Sequence, residues 1–254
     1  MPGVLGTLAD WVRPRLVNHR LTDTDFVQAL RRAADSDVVV AVYDDETAPY
    51  ATAARIEREL DVSLPADRRV RLPAVVTRGF APGGRTVRAC ALVDADPPVV
   101  LLSRDSLQGW DEATRNFVVA HEFGHALADP PPVDATVESL RPLPAQSTFA
   151  VRELVVAYRE YRAGEVHADL RAELPERYRI SPDVMATYHE AERAGEDGVL
   201  LSERDRRALA ARNAAKYLPL PYDPPAVPGW VRASLARSFP EYCDTIVERL
   251  VTPR

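Results

Sequence analysis

Two histidines four residues apart, His121 and His125, constrain the fold of this sequence more than any other feature. On an α-helix this spacing sets the side chains about 40° apart and one turn along the axis, so both imidazoles can reach one cation. The segment has the hydrophobic pattern of a helix, with Asp111 as the N-cap and the prolines at 130–132 ending it. The sequence therefore predicts a helix that carries part of a metal site.

Glu122 completes an HExxH motif between the two histidines. It projects about 100° away from His121, which is too far round the helix to share the coordination site but suits contact with a metal-bound water. A bound cation lowers the pKa of that water towards about 7. Glu122 would take the proton as general base and return it to the leaving amine, as in peptide or amide hydrolysis. The alternative is a set of polar residues on a solvated helix face.

The motif leaves one ligand missing, because catalytic zinc sites have three protein ligands and a water molecule. The metzincin pattern is excluded, since Ala128 and Pro131 stand where it requires glycine and histidine. We expect a carboxylate, and we rank Glu165 first because the apolar pattern places it on the inner face of a helix predicted at 148–173. Asp169, one turn further on that face, is the predicted hydrogen-bond partner of a ligating histidine. The alternative for both is a surface charge.

Other polar side chains are weaker candidates for the site. Three glutamates could also supply the third ligand, one in a predicted loop and two on the predicted outer helix face: Glu138, Glu153 and Glu160. His167 is two positions from Glu165 and about 200° round the helix, so the pattern places it on the opposite face. An oxyanion stabiliser is also expected, and Tyr158 and Tyr161 are the nearest candidates, with ordinary aromatic packing as their alternative role.

Hydrophobic periodicity and turn residues predict both helices and strands outside the motif. Helices are predicted at 24–34, 51–60, 148–173, 182–193, 203–217 and 230–251, the last interrupted by Pro240, and strands at 38–42, 73–80, 86–94 and 99–103. We expect an α+β fold with a small twisted, mostly antiparallel sheet. Residues 1–72 form a lead-in within the same domain, 73–175 form the core and 176–254 form a helical extension.

Composition excludes some classes of function. The 254 residues are 46% hydrophobic with a net charge of −6, and 32 basic against 38 acidic residues leave no basic excess, so direct nucleic-acid binding is not expected. No apolar run reaches the roughly 18 residues of a membrane span, and the first twenty residues lack a signal-peptide core. We therefore expect a soluble cytoplasmic protein with no membrane partner. Cys90 and Cys243 lack metal-site spacing and are predicted to be packing thiols.

Two segments resemble the ImmA/IrrE family of zincin-like metallopeptidases. A strand-like stretch at 98–103 precedes residues 115–127, which are similar to the family's helix pattern RxFxxAHExGHxL. Residues 165–175 are similar to the second family motif, a helix that begins ExxA followed by Asn or Asp. Arg171 departs from that motif, where phenylalanine is usual. The resemblance covers roughly 74–175 and leaves both flanking regions unassigned.

The resemblance implies a zincin-like fold with a gluzincin-type site, in which His121, His125 and Glu165 bind one zinc ion per chain. Glu122 would be the catalytic base and a peptide or protein the substrate, in this family often a repressor or antitoxin. We therefore predict a zinc metallopeptidase of undetermined oligomeric state. Two alternatives stay open: a zincin-fold regulatory or interaction protein with a structural or sensory metal site, and a metal-dependent hydrolase of small amides or esters.

Overall fold

The computed structural model is an α+β arrangement of one sheet and several helices. It describes residues 15–66, 68, 70, 72, 89–128, 148–197, 202–203, 209, 212–213, 215–217 and 220–221. The strands are β1 (Val17–Arg20), β2 (Val39–Tyr43), β3 (Ala89–Leu92) and β4 (Val99–Ser103). The helices are α1 (Asp25–Ala34), α2 (Ala53–Leu60), α3 (Arg104–Gln108), α4 (Glu112–Leu127), α5 (Thr148–Glu173) and α6 (Pro182–Asp197), with short 3-10 turns at Ala48–Tyr50 and Glu176–Tyr178.

The helix boundaries follow from local chemistry that the sequence displays. Helix α4 begins after Asp111, whose carboxylate accepts a hydrogen bond of 2.7 Å from the backbone N–H of Thr114. Helix α1 begins after Thr24, whose hydroxyl oxygen accepts a hydrogen bond from the backbone N–H of Val27. It is followed by its C-cap, Asp35, in the left-handed conformation. These caps satisfy backbone groups that a helix terminus leaves unpaired. The predicted N-cap of the motif helix is thus confirmed.

The sheet is mixed, with strand order β1-β2-β4-β3. Strands β3 and β4 pair antiparallel, as expected for neighbours in a meander, and β1 pairs antiparallel with β2. The central pair, β2 and β4, is parallel, with Val39 opposite Val99. Every residue of these two strands is buried, which is typical of parallel strands covered on both faces. The expectation of a mostly antiparallel sheet therefore holds for two of the three pairings and misses the central one.

Helices cover both faces of the sheet. Because side chains alternate along a strand, β2 and β4 feed two separate apolar cores. Helices α1, α4, α5 and α6 share the core that contains Val40, Val100 and Leu102. Helix α2 covers the other face, where the buried strand residues include Ala41, Tyr43 and Leu101. Helix α4 contacts β3 and β4 on one side and α5 and α6 on the other, so the motif helix lies in the middle of the packing.

The backbones of helices α4 and α5 approach each other closely at Gly124. A Cβ atom at this position would collide with the backbone carbonyl oxygen of Ala163, which is fully buried. Only glycine leaves room for two helix backbones to meet in this way.

Some sequence predictions concern residues outside the described part of the structure. These are the strand at 73–80, residues 86–88 of the strand at 86–94, the loop residue Glu138, the helix at 230–251 and Cys243. The helix at 148–173 has the predicted bounds, and the one predicted at 182–193 extends to residue 197. Among the described helices, none combines the length and the apolar character that crossing a membrane requires.

We expect the substitution Gly124→Ala to destabilise the fold by roughly 1–3 kcal/mol, because the added methyl must push two helix backbones apart. The measurement is urea unfolding followed by circular dichroism. Gly109→Ala is the matched control, since a Cβ there lies 3.8 Å from the nearest atom, the backbone oxygen of Ser106. An equal loss in both variants would show that helix proximity is not the cause.

Candidate metal centre

The two motif histidines point into one place between α4 and α5. Their ring centroids lie 4.7 Å apart, with the ring planes nearly perpendicular. From α5, the Oε2 atom of Glu160 lies 3.0 Å from His121 Nε2 and 3.4 Å from His125 Nε2. Among the described residues, these three form a group whose ligand atoms all lie within 4.8 Å of one another and could hold a metal ion.

The spacing and chemistry of the three donors fit a zinc ion. Zinc in catalytic sites is bound by imidazole nitrogens and carboxylate oxygens at about 2.0–2.2 Å, and tetrahedral ligands at that distance stand roughly 3.4 Å from one another. The two distances from Glu160 Oε2 to the imidazole nitrogens of His121 and His125 come close to this separation. Two nitrogens and one oxygen also leave a fourth position for water or substrate.

The charges of the group prepare the carboxylate for metal binding. Burial acts to raise the pKa of Glu160, but the positive charge of His125 and hydrogen bonds from both histidines outweigh it and hold this pKa well below its ordinary value. Burial acts to lower the pKa of His125, and the Glu160 carboxylate beside it reverses the effect and raises that pKa. The surroundings of Glu160 therefore favour its ionised form, which is the form a metal requires.

The third ligand in this group is not Glu165, which the sequence analysis ranked first. The hydroxyl of Tyr161 donates to Glu165 at 3.3 Å, and the guanidinium of Arg162 donates to it at 3.0 Å. Glu165 lies five residues after Glu160 and so about 140° round the helix, away from the histidines. Asp169, the predicted partner of a ligating histidine, is exposed.

The sequence ranks Glu160 below Glu165 because the buried face of α5 is not the predicted one. Among the described side chains of α5, seven residues are buried: Ala157, Glu160, Tyr161, Ala163, Gly164, His167 and Leu170. Two of them are polar, and a hydrophobicity pattern assigns polar residues to the surface. The last residue of the face predicted to be buried, Ala172, is exposed in the structure, and its side chain is small enough to tolerate exposure. Glu160 was considered only as a weak outer-face candidate for this reason.

His167 is also on the buried face of α5, although the apolar pattern in the sequence assigns the inner face to Glu165, on the opposite side of the helix. It is 1% exposed, and its ring lies 5.5 Å from Phe117 and 6.4 Å from His121, centroid to centroid. Within the described structure, its Nδ1 atom has no hydrogen-bond partner. Burial, with a smaller contribution from the charge of His121, lowers the pKa of His167 to about 3. His167 follows Glu160 by seven residues, so the two side chains lie within about 20° of each other round the helix. This spacing is the one signal in the sequence that links them.

Glu122 lies on α4 between the two histidines, about 100° round the helix from His121 and about 60° from His125. It is half-buried, and its negative charge adds to the burial that raises the pKa of the Cys90 thiol to about 12. The same charge contributes to raising the pKa of Tyr43 and of His125. The charge of Glu122 therefore acts both on residues of the sheet and on a motif histidine, and Glu122 is not a member of the three-residue group.

The two tyrosines proposed as oxyanion stabilisers have different surroundings. Tyr161 is buried and directs its hydroxyl to Glu165, away from the histidine pair. Tyr158 is half-buried on α5. Their role in stabilising an oxyanion stays a prediction. The side chain of Glu153 lies outside the described part of the structure, so its role as a metal ligand also stays a prediction.

Comparison with protein-family models, with curated proteins and with solved structures finds no match to the chain. The resemblance to the ImmA/IrrE family therefore rests on the two sequence motifs alone.

We predict that Glu160→Gln weakens zinc binding at least tenfold, because it removes the anionic donor and keeps the side chain's shape. Zinc affinity is measured by competition with a chromophoric chelator. The matched control, Glu165→Gln on the same helix, leaves the affinity within twofold of wild type. The reverse order of the two effects would restore Glu165 as the ligand.

We also predict that His167 makes the metal-free protein sensitive to acid. Its folded-state pKa of about 3 lies below the ordinary value of about 6.5, so the unfolded chain takes up the proton first and stability falls as the pH drops from 6.5 towards 3. Between pH 8 and pH 5, wild type should lose on the order of 2 kcal/mol more than His167→Phe in urea unfolding. His19→Phe, at an exposed position, should keep the wild-type loss. Equal acid losses in wild type and His167→Phe would refute the prediction.

Proposed function

We propose that the protein is a zinc-dependent metallopeptidase with a zincin-like, ImmA/IrrE-type site that binds one zinc ion per chain through His121, His125 and Glu160. The observation that carries the proposal is the buried Glu160 carboxylate within 3.4 Å of both motif histidines. A helix packed at random against the motif would not present an ionised carboxylate there, because burying an unpaired charge is costly.

The residues of the chain divide the work of hydrolysis between them. Zinc, when bound, would lower the pKa of a coordinated water to about 7 and polarise the scissile carbonyl group. His121, His125 and Glu160 would hold the metal, and Glu122 stands next to His121 on the same helix. Glu122 would accept the proton of the attacking water on its carboxylate and deliver it to the leaving amine nitrogen.

The sheet provides a place for an extended substrate. Among the described strands, β3 lies at one end of the sheet, and α4 packs against it. A peptide that adds to such an edge strand is held by its main chain, and its carbonyl groups run beside the motif helix. This arrangement supports a peptide substrate over a small amide.

A second function is favoured by the burial of the ligands. The side chains of His121 and Glu160 are only 9% and 11% exposed, so a metal bound there would join α4 and α5 inside the packed core. In that case the protein would be a regulatory or interaction protein whose metal holds α4 and α5 together. The two functions differ in whether the metal-loaded protein cleaves peptides.

We expect Glu122→Gln to keep about one zinc per chain and to lower peptide hydrolysis by about 10²–10⁴-fold, the contribution typical of a general base. Cleavage is measured by mass spectrometry on a mixed peptide library, and zinc by atomic absorption. Glu112→Gln, exposed in the first turn of the same helix, is the control and should retain full activity. Full activity in Glu122→Gln would reject the mechanism. A zinc-loaded wild type that cuts nothing but melts earlier after chelation would favour the structural role.

A further inference from the structure

We propose that Arg212 is a positioning residue for the metal ligand Glu160, so that the segment after α6 is part of the metal centre. The inference rests on the metal site of the proposed function but not on its peptidase activity. It extends the site to a region beyond the segments that resemble a known family.

The two oxygens of the Glu160 carboxylate face different partners. Oε2 faces the histidine pair, whereas Oε1 lies 3.6 Å from the Nε atom of Arg212. That distance makes an ion pair without a direct hydrogen bond. The Arg212 and Glu160 side chains are 25% and 11% exposed, so solvent screens their attraction less than it does on an open surface. The guanidinium thus acts on the side of the carboxylate that the histidines leave uncovered.

Packing fixes the place from which Arg212 reaches the site. Leu209, Ala215 and Tyr217 of the same segment are buried. The Tyr217 ring stacks on Phe117 with centroids 6.2 Å apart and planes 3° from parallel. Phe117 in turn stacks on His121 one turn along α4, with centroids 6.4 Å apart. Tyr217 is therefore packed on the motif helix itself, and Arg212, five residues before it, lies beside Glu160.

A carboxylate ligand needs such a partner because it can rotate. A single bond joins the carboxylate to the rest of the glutamate side chain, and a cation beside Oε1 favours the rotation that turns Oε2 towards the histidines. Groups that orient metal ligands in this way commonly contribute 10–100-fold to metal affinity. Arg212 also keeps the buried negative charge of Glu160 paired on its second oxygen before a metal binds.

The test compares the zinc affinity of the full-length chain in Arg212→Gln, Arg212→Lys and Arg162→Gln, by competition with a chromophoric chelator. We expect Arg212→Gln to bind zinc about 10–100-fold more weakly, and Arg212→Lys to recover part of that loss because it keeps the charge. Arg162→Gln is the matched control, since it removes an ion pair of 3.0 Å to Glu165 on the same helix, and should change the affinity less than twofold.

Each outcome decides the proposal. Wild-type zinc affinity in Arg212→Gln overturns it, and so does a wild type that binds no zinc. Weaker binding supports it only if the metal-free variant melts within about 2 °C of wild type, which separates positioning from general stability. If Arg212→Gln does not fold, the other two variants decide. An equal loss of zinc affinity in the folded Arg212→Lys and Arg162→Gln variants overturns the proposal, and a loss of zinc affinity confined to Arg212→Lys supports it.

If Arg212→Gln binds zinc normally but raises KM for a cleaved peptide, the proposal is overturned and Arg212 contacts substrate instead. A wild type that binds zinc without cleaving peptides refutes the peptidase and leaves the affinity test of Arg212 intact.

Discussion

The contact between Gly124 and the backbone of Ala163 is the constraint on which the site depends. Gly124 adjoins His125 in sequence, and Ala163 follows Glu160 by three residues, so this crossing brings the ligands of both helices to the same level. A larger residue at the crossing would separate the helix axes, and a metal site tolerates little change in the distance between its donors. The glycine in the motif is therefore as important for the geometry as the histidines on either side of it.

Burial of charge is the second constraint. An isolated buried carboxylate would take up a proton, but the two imidazoles beside Glu160 hold its pKa well below the ordinary value. The Arg212 guanidinium lies beside its other oxygen. The metal-free protein thus holds the donor set close to the spacing that zinc requires, and a metal would add its positive charge to a site that is already assembled.

The sequence predicted the features that depend on nearby residues and missed those that depend on distant ones. The capping by Asp111, the histidine spacing and the strand at 99–103 are local, and the structure has them as expected. The parallel pairing of β2 with β4 joins segments about sixty residues apart, for which a single sequence carries no register. Arg212 gave no signal, because only tertiary packing brings it to Glu160.

The ranking of Glu165 above Glu160 in the sequence has a more general cause. Hydrophobic periodicity finds the buried face of a helix only where that face is apolar, and on α5 it includes Glu160 and His167. A helix that served packing alone would have apolar residues at both positions, because each polar group costs desolvation unless it is paired. Conflict between a local rule and the fold is expected at functional sites. The two polar residues on the buried face, seven positions apart and both beside His121, therefore mark the site more sharply than the apolar pattern that concealed them.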